Sequence, residues 1–255
     1  MAHVYDIDGV SHFHLTPAKA KAQGLFFSVT EHQKVLAKPA LEIWKVSEAI
    51  KAAKSHRPRD DEDDASYVRR IKGESYSSAA ADLGTSIHDA IQKVLEGNKT
   101  VSELEPKLQP FVRPAINYFE VKGFKDFALE KTVVNVNEGY AGTVDCAATA
   151  AGGQLFVLDW KSRKTSPKYK KLAPYDGQPE QVAAYAAAFY GEDQVEAGKV
   201  WGANAFISTT ETDEDGDARF EVVSYTPDEM KHHFETFKLV AELWRRANKY
   251  DPRVN

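Results

Sequence analysis

A strand-like apolar segment ends in an acid, an aromatic residue and a base. The segment LFVLDWK covers residues 155–161 and places Asp159 and Lys161 two positions apart. Because side chains alternate along a strand, both groups should project from the same face, about 6 to 7 Å apart along the backbone. A carboxylate and an ammonium group in that arrangement can act on one reacting centre.

A second acid, Asp145, ends the preceding strand-like segment YAGTVD at residues 140–145. If the two segments form a meander, Asp145 lies next to Asp159. Two carboxylates that converge at a sheet edge form a hard oxygen site, which suits Mg²⁺ or Mn²⁺. Phosphodiester hydrolysis needs an acidified water, neutralisation of the charge on the phosphoryl oxygens and help for the leaving oxygen. The residue types therefore predict metal-assisted chemistry of this kind.

Lys161 completes the set as a base or as a cation that orients the water. To act as a base, a lysine needs a lowered pKa, whereas adjacent carboxylates raise it. A bound metal would first have to cancel their charge. We therefore expect an orienting, electrostatic role for Lys161.

The surrounding sequence predicts the elements that position these residues. Strand-like patterns with glycine-bearing turns between them predict an antiparallel meander over 127–136, 140–149 and 154–160. A small hairpin over 4–15 and two helices separated by Pro39 are expected before it. Further helices are expected at 77–95, 102–121, 179–190 and 227–248, and strands near 199–209 and 218–225. This order predicts an α/β fold with a mixed sheet and a helical N-terminal half.

Two acidic segments lie outside these elements. Five consecutive acids at 60–64 predict an exposed loop within a mobile segment of about 56–78. Residues 213–217 have the composition of a calcium loop, but Gly216 stands at its fourth instead of its sixth position, and Ser224 replaces the closing glutamate. The second segment therefore predicts a hairpin turn.

The composition excludes several classes of protein. One cysteine, Cys146, among 255 residues cannot form an internal disulfide, a thiolate zinc site or a cysteine-ligated iron–sulfur cluster. The sequence has no GxxxxGK[ST] phosphate-binding loop, no apolar run near the roughly 20 residues of a membrane span and no visible signal peptide. We therefore expect a cytoplasmic protein that uses neither ATP nor a membrane.

The formal net charge of −5 does not indicate a nucleic-acid binder, so local charge must supply that property. A basic stretch with interleaved tyrosines follows the DWK segment; it comprises Lys161, Arg163, Lys164, Lys168, Tyr169, Lys170, Lys171 and Tyr175. Such a run is usually a solvated loop. Beside a metal site it could instead track phosphates and stack a tyrosine on a base, which would make binding sensitive to salt.

Five short segments follow one another in a distinctive order. They are GTSIH at 84–88, LEKTV at 129–133, GTVD at 142–145, DWK at 159–161 and QVAAY at 181–185. In this order they resemble the PD-(D/E)XK nuclease superfamily, and within it the RecB-like exonuclease branch of phage and mitochondrial type without an iron–sulfur cluster. The resemblance covers roughly residues 28–190.

This resemblance implies a role for each matched residue. The metal ligands would be Asp145, Asp159, His88 and the backbone carbonyl of Trp160. The catalytic set would be Lys161, Asp145, Asp159 and Glu130. The cofactor would be Mg²⁺, for which Mn²⁺ substitutes. Substrate contacts would come from Gln181, Tyr185, Thr143, Arg163 and Lys164.

Several of these assignments have a plainer structural alternative. His88 could be a core or capping histidine. Gln181 and Tyr185 share one helix face and could simply cover the sheet. Glu130 could only pair with a basic neighbour such as Lys131.

The resemblance also implies a fold and a setting. The fold would be a restriction-endonuclease-like α/β core, with a central mixed β-sheet flanked by helices and a helical N-terminal elaboration. Residues 1–255 would form a single nuclease domain, mainly helical over 1–123 and with the catalytic sheet and its helices over 124–255. The activity would be hydrolysis of DNA from its ends. The partners would be DNA and a single-strand annealing or replication protein. The setting would be recombination and replication of a phage or mobile element. A phage-encoded protein would act in the host cytoplasm.

Three other functions stay open on the sequence. A structure-selective DNA endonuclease is the nearest. A catalytically silent DNA-binding module of the same fold is the second, although it would not need to retain both the acids and the lysine. A hydrolase of other substrates is the third, but no nucleophile motif supports it. The N-terminal helices with residues 56–78 could form a gate that admits only strand ends, which is a hypothesis.

Overall fold

The computed structural model describes residues 3–75 and 78–254. Residues 76 and 77, near the end of the segment predicted to be mobile, lie outside this description. The chain forms two compact units, one of Met1–Leu36 with Ser86–Asn255 and one of Ala37–Thr85. Each is described by itself.

One mixed β-sheet organises the larger unit. Its strands are β1 (Val4–Tyr5), β2 (Ser11–His12), β3 (Phe26–Ser28), β4 (Lys125–Asn135), β5 (Tyr140–Thr149), β6 (Leu155–Arg163), β7 (Val200–Thr212) and β8 (Ala218–Tyr225). The order is β2-β1-β3-β5-β6-β7-β8, and β4 pairs with β5. The β3–β5 and β6–β7 pairs are parallel and the others are antiparallel. The predicted mixed sheet and the β4–β5–β6 meander are confirmed.

Strand β5 has an interruption along one edge. One edge pairs with β4 along most of its length, from Tyr140 to Thr149. The other edge pairs with β3 at Tyr140 and Ala141 and with β6 from Cys146 onward. Residues 142–145, the GTVD segment, therefore lie between two different partner strands, where the sheet can open.

Both units contain helices. They are α1 (Pro17–Ala22), α2 (Val29–His32), α3 (Pro39–Ser55), α4 (Asp64–Ser75), α5 (Ser78–Leu95), α6 (Gln109–Lys122), α7 (Gln178–Tyr190), α8 (Glu192–Glu196) and α9 (Pro227–Asn248). The main core lies between the sheet and helices α7 and α9 and includes Val144, Val157, Val182, Phe234 and Phe237. Burying a side chain of this size contributes about 1.5–3 kcal/mol. A second layer of rings joins α6 to the sheet, with the Phe119 and Trp160 centroids 5.4 Å apart.

The smaller unit corrects one expectation. Residues 64–75, predicted to belong to a mobile loop, form helix α4. The acids explain this, because carboxylates favour the N-terminus of a helix. Asp63 accepts a hydrogen bond from the Ser66 amide at 2.7 Å, and Asp64 lies in the first turn. Glu62 pairs with Arg70 at 2.7 Å. Residues 60–63 of the acidic run lie in the predicted loop, and only its last acid, Asp64, belongs to the helix.

The N-terminal segment differs in a second way. The predicted hairpin exists as β1 and β2, but a third short strand, β3, joins it to the central sheet. The helix predicted from residue 28 is reduced to the four residues of α2, and the long helix α3 begins at Pro39. Among the described residues, no helix combines the length and the apolar character that crossing a membrane requires.

Candidate active site

Three potential metal ligands converge beside the interruption in β5. Ligand atoms of His88, Glu130 and Asp145 all lie within 4.8 Å of one another. The His88 Nδ1 atom is 3.8 Å from Asp145 Oδ2. Asp145 comes from the end of the GTVD segment, His88 from α5 and Glu130 from β4. Three elements that are distant in sequence thus supply one group of ligands.

Asp159 and Lys161 lie together on the neighbouring strand. The Lys161 ammonium nitrogen is 2.6 Å from Asp159 Oδ2. As expected from strand alternation, the intervening Trp160 packs instead against Phe119. The paired register of β5 and β6 ends at Cys146 and Leu158, so the next residues along the two strands are Asp145 and Asp159. The four residues predicted as the catalytic set therefore meet at adjacent positions of β4, β5 and β6.

Asp159 is held by a buried polar chain. Its Oδ2 atom accepts a hydrogen bond from Asn204 Nδ2 at 2.9 Å, and the Tyr225 hydroxyl donates to Asn204 Oδ1 at 2.6 Å. Asn204 lies directly opposite Asp159 in the parallel β6–β7 pair. Because Asp159 is turned toward Asn204 and Lys161, it is not part of the three-ligand group formed by the described residues.

The carboxylates of the site repel one another. Burial raises the pKa of Asp145 well above its usual value, and the charge on Asp159 adds to this rise. Burial and Asp159 also raise the pKa of Glu130. Burial alone would lower the pKa of Lys161, but Asp159 and Asp145 together raise it. Burial lowers the pKa of His88, so its imidazole is neutral at pH 7 and can act as a ligand.

Glu130 has an unusual backbone conformation. Its φ is 48°, in the left-handed region that side chains other than glycine rarely adopt. The flanking pairs Leu129–Cys146 and Lys131–Val144 keep one register, so Glu130 stands opposite Asp145. Strand β4 has a second residue of this kind, Asp126 with a φ of 56°, but that residue lies at a register shift, whereas at Glu130 the register is kept and the residue carries a candidate ligand.

The Trp160 backbone faces Asp145. Its amide donates a hydrogen bond to Asp145 Oδ2 at 2.8 Å. In an extended strand the amide and carbonyl of one residue face the same neighbouring strand. The Trp160 carbonyl therefore faces the β5 side, as its predicted role as a ligand requires.

Gln181 and Tyr185 lie behind the site on α7. Both are buried, and Gln181 Nε2 donates to the Tyr185 hydroxyl at 3.0 Å. The Tyr185 ring lies so close to Gly142 that a Cβ atom at that position would be 2.5 Å from Tyr185 Cε1. Burial and the charge of Asp159 raise the pKa of the Tyr185 hydroxyl well above its usual value. The pair thus supports β5 beside Asp159, and its burial limits contact with a large substrate.

The other predicted substrate contacts lie around the site. Thr143 Oγ1 is 3.2 Å from the hydroxyl of Tyr5, which reaches it from β1. The Arg163 guanidinium carbon lies 4.1 Å from the Phe206 ring centroid and 4.8 Å from that of Tyr175. Lys164 is exposed.

Three functional candidates were not found in the sequence: Tyr5, Asn204 and Tyr225. Tyr5 belongs to a two-residue strand, which gives too short a pattern to place it. Asn204 is a polar residue inside an apolar strand pattern, WGANAFI at 201–207, and this is a signal that could have been read. Since a buried amide needs partners, its position opposite Asp159 explains why it is tolerated there.

A comparison with protein-family models matches residues 100–255 to the PD-(D/E)XK nuclease superfamily. The match covers more than half of the chain and includes Glu130, Asp145, Asp159 and Lys161. The chain belongs to the PD-(D/E)XK nuclease superfamily. The predicted family and its mixed-sheet fold are therefore confirmed.

The solved structures that match this chain have low sequence identity to it. A candidate exonuclease from Eubacterium rectale has 11% identity and a TM-score of 0.48, and the match covers 93% of this chain and 88% of that chain. An alkaline exonuclease from Laribacter hongkongensis has 13% identity and a TM-score of 0.27, over 82% of this chain and 98% of that chain. The search of curated proteins gives no significant match.

PD-(D/E)XK nucleases use divalent metals, and the residues present fit such an ion. Carboxylate oxygens from Asp145 and Glu130 with one neutral imidazole form a largely hard donor set. Among the residues that the structure describes, Glu130, Asp145 and Asp159 face one ammonium group, that of Lys161. When all are ionised, the formal charge is −2, which one divalent cation would balance.

Proposed function

We propose that this chain is a metal-dependent DNA exonuclease, which hydrolyses phosphodiester bonds from DNA ends. The observation that carries the proposal is the convergence of His88, Glu130 and Asp145 within 4.8 Å, beside the Asp159–Lys161 pair. Family membership makes phosphodiester hydrolysis the reaction that such a group would perform.

Asp145 and His88, which converge with Glu130, are the first ligands that we assign to the ion. Asp159 and the Trp160 carbonyl are assigned as further ligands, although Asp159 Oδ2 is turned toward Asn204 and Lys161 in the structure, and Glu130 completes the acidic set. The hard oxygen donors favour Mg²⁺, with Mn²⁺ as a substitute. When bound, the ion supplies a water of lowered pKa and positive charge for the phosphoryl oxygens. Asn204 holds Asp159 Oδ2, and the Trp160 amide holds Asp145 Oδ2, so both carboxylates keep their orientation.

Lys161 orients the attacking water and adds positive charge near the scissile phosphate. Its ammonium group carries a raised pKa beside Asp159 and Asp145, so it is protonated at pH 7. A protonated lysine donates hydrogen bonds and cannot accept a proton. Before an ion binds, Lys161 is therefore a cation, as the electrostatic role requires, whereas a bound ion would cancel the carboxylate charge that raises this pKa.

The preference for DNA ends rests on the sequence motifs. The segments at 84–88 and 181–185 resemble the RecB-like exonuclease branch; His88 of the first lies 3.8 Å from Asp145, and Tyr185 of the second is buried beside Gly142. Within this proposal, DNA is the substrate and partner, and recombination or replication is the setting.

The test is digestion of end-labelled linear DNA and closed circular DNA, each single- and double-stranded. The wild type, Lys161→Ala and the matched exposed variant Lys199→Ala are compared with Mg²⁺, with Mn²⁺ and with EDTA. We expect loss of linear DNA only, abolished by EDTA and by Lys161→Ala and retained by Lys199→Ala. Cutting of circular DNA would show that the protein is a structure-selective endonuclease and not an exonuclease. Binding without cutting under all metal conditions would show a silent module and overturn the proposal.

A further inference from the structure

Residues 164–176, between β6 and α7, form a surface segment that we call the platform. Hydrogen bonds to neighbouring strands and to α7 hold it along its length. Thr165 bonds to Thr210 and Ser208. Arg219 donates to the Lys170 carbonyl and Arg163 to the Ala173 carbonyl, while the amides of Leu172 and Tyr175 donate to Glu221 and Gln178. Their donor–acceptor distances lie between 2.6 and 2.9 Å. The segment is therefore an anchored surface and not the solvated loop that its composition suggests.

The platform exposes two aromatic rings. Tyr169 is 61% exposed and Tyr175 is 60% exposed. The Arg163 guanidinium lies 4.8 Å from the Tyr175 centroid and is itself supported by Phe206. Arg163 thus fixes the ring from one side, and the exposure of Tyr175 leaves the other side open to a ligand. A held, exposed ring is a stacking surface that loses little conformational freedom on binding.

The platform is also strongly basic within an acidic chain. Residues 161–176 contain six cationic side chains and one acid, Asp176. Lys164, Lys168, Lys170 and Lys171 are exposed. The neighbouring acids Glu211 and Glu221 both pair with Arg219, which leaves one net negative charge beside the four lysines.

The platform continues the strand that carries Lys161. Arg163 follows Lys161 by two residues, or about 7 Å along the strand. A nucleic-acid strand that contacts the platform can therefore pass directly into the active site. Bases in a duplex have their faces covered by neighbouring bases, whereas a single strand offers them to aromatic side chains.

We propose that the platform binds single-stranded DNA, with Tyr169 and Tyr175 stacking on bases and the four exposed lysines contacting phosphates. This inference rests on the proposed nuclease function and deepens it, because it makes a single-stranded end the form of substrate that enters the site. Stacking tolerates any base sequence, so the platform selects strandedness and not sequence.

The test measures binding by fluorescence anisotropy in EDTA, where cleavage plays no part. The probes are a labelled 20-nucleotide oligo(dT), an abasic strand of the same length and a blunt duplex. We expect the wild type to prefer oligo(dT) to both other probes. The double variant Tyr169→Ala/Tyr175→Ala should bind oligo(dT) about tenfold to a hundredfold more weakly and should bind the abasic strand as the wild type does.

The lysines are tested through the salt dependence of binding. Lys168→Gln/Lys170→Gln/Lys171→Gln should lower the slope of log affinity against log salt by about 2 on oligo(dT). The matched control Lys99→Gln/Lys199→Gln/Lys231→Gln removes the same charge from exposed positions elsewhere and should leave the slope unchanged. Phe13→Ala, at another highly exposed ring, is the control for the tyrosines. Thermal unfolding of each variant establishes that it is folded.

Three results would overturn the inference. One is unchanged oligo(dT) affinity in the folded double tyrosine variant. The second is equal loss of affinity for the abasic strand, since that would leave no contribution from stacking. The third is wild-type binding to the duplex as tight as to oligo(dT). Failure of the proposed function is a separate result, because it appears as absent cleavage by the wild type with Mg²⁺ or Mn²⁺ even when these binding preferences hold.

Discussion

Two clusters of three acids in this molecule differ in the number of cationic side chains that face them. In the site cluster, Glu130, Asp145 and Asp159 share one cation, Lys161. In the arginine cluster, near the end of α9, three acids meet three arginines; its members are Glu138, Glu242, Asp251, Arg245, Arg246 and Arg253. The first cluster has an excess of negative charge, and the second is balanced by the chain itself.

The pKa directions show the same contrast for two of the three acids of the arginine cluster, whereas burial and the charge on Glu192 raise the pKa of the third, Glu138. Hydrogen bonds from arginines lower the pKa of Glu242 and of Asp251. Burial and neighbouring carboxylates raise the pKa of Asp145 and of Glu130. A cluster that stabilises the fold carries its own counter-charges. The site cluster keeps an excess of negative charge, which the proposed divalent cation would balance.

The strongest test of this contrast replaces one acid from each cluster by its amide. Asp145→Asn should lower nuclease activity by about 10³-fold or more, because a metal ligand is lost. Without metal its free energy of unfolding should equal or exceed that of the wild type, since repulsion is relieved while the Trp160 hydrogen bond can persist. Glu242→Gln should keep its activity and lose stability.

The same pair of variants separates metal binding from folding. Mg²⁺ at a hundredfold excess over Kd should raise the free energy of unfolding of the wild type and of Glu242→Gln by about 2.7 kcal/mol. Asp145→Asn should show a much smaller shift in calorimetry. Equal metal stabilisation of all three proteins would contradict the assignment of the site.

His32 makes the part of the fold beside the arginine cluster sensitive to acid. It is fully buried beside Trp244, and burial lowers the pKa of its imidazole to about 4. Between pH 6.5 and pH 4 the unfolded chain binds a proton there and the folded chain does not. Stability should therefore fall as the pH drops through this window, by about 3 kcal/mol in total.

Chemical denaturation from pH 7 to pH 4 measures this loss. His32→Gln should flatten the pH dependence, and replacement of the exposed His56 by Gln should leave it as in the wild type. Parallel curves for the wild type and His32→Gln would show that other groups cause the acid sensitivity.

Asn204 tests how the site cluster is held in position. Asn204→Leu removes the hydrogen bond to Asp159 Oδ2 and should lower activity by about 10- to 100-fold, the usual effect of losing a group that orients a metal ligand. Asn135→Leu is the matched control, because Asn135 is also buried in the sheet but bonds to Tyr140. It should lose stability while keeping activity per folded molecule. Comparable activity losses in Asn204→Leu and Asn135→Leu would show that Asn204 acts through the stability of the sheet and not through the orientation of Asp159.

The smallest expected effect concerns the backbone of Glu130. Because its φ is positive, Glu130→Gly should be more stable than Glu130→Ala by about 1 kcal/mol. At the adjacent exposed Lys131 the order should reverse, since glycine weakens an ordinary strand position. Denaturant unfolding of the four variants decides the point. Glycine less stable than alanine at both positions would show that no strain is stored at Glu130.

The sequence predicted the meander and its chemistry because local patterns determine both. Strand alternation placed Asp159 and Lys161 on one face and Trp160 on the other, and the structure has this arrangement. The superfamily and the mixed sheet were also predicted correctly. The roles of the individual site residues stay predictions until the variants above are measured.

Long-range partners could not be predicted in the same way. Nothing local to Asn204 indicates that it reaches Asp159, and nothing local to Tyr225 indicates that it reaches Asn204, because the pairings of β7 with β6 and with β8 create these contacts. Helix α4 was missed for a different reason. Its acidic start was read as charge that cannot pack, whereas Asp63 and Asp64 satisfy the amide end of a helix.

The chain's single cysteine provides a chemical reporter at a useful place. Cys146 directly follows Asp145, and on its two sides it pairs with Leu129 of β4 and Leu158 of β6. It is fully buried, and burial raises the pKa of its thiol. An alkylating reagent can therefore reach it only when these strands separate. The rate of alkylation measures how often the sheet opens beside the active site, and it does so in the natural sequence without an introduced label.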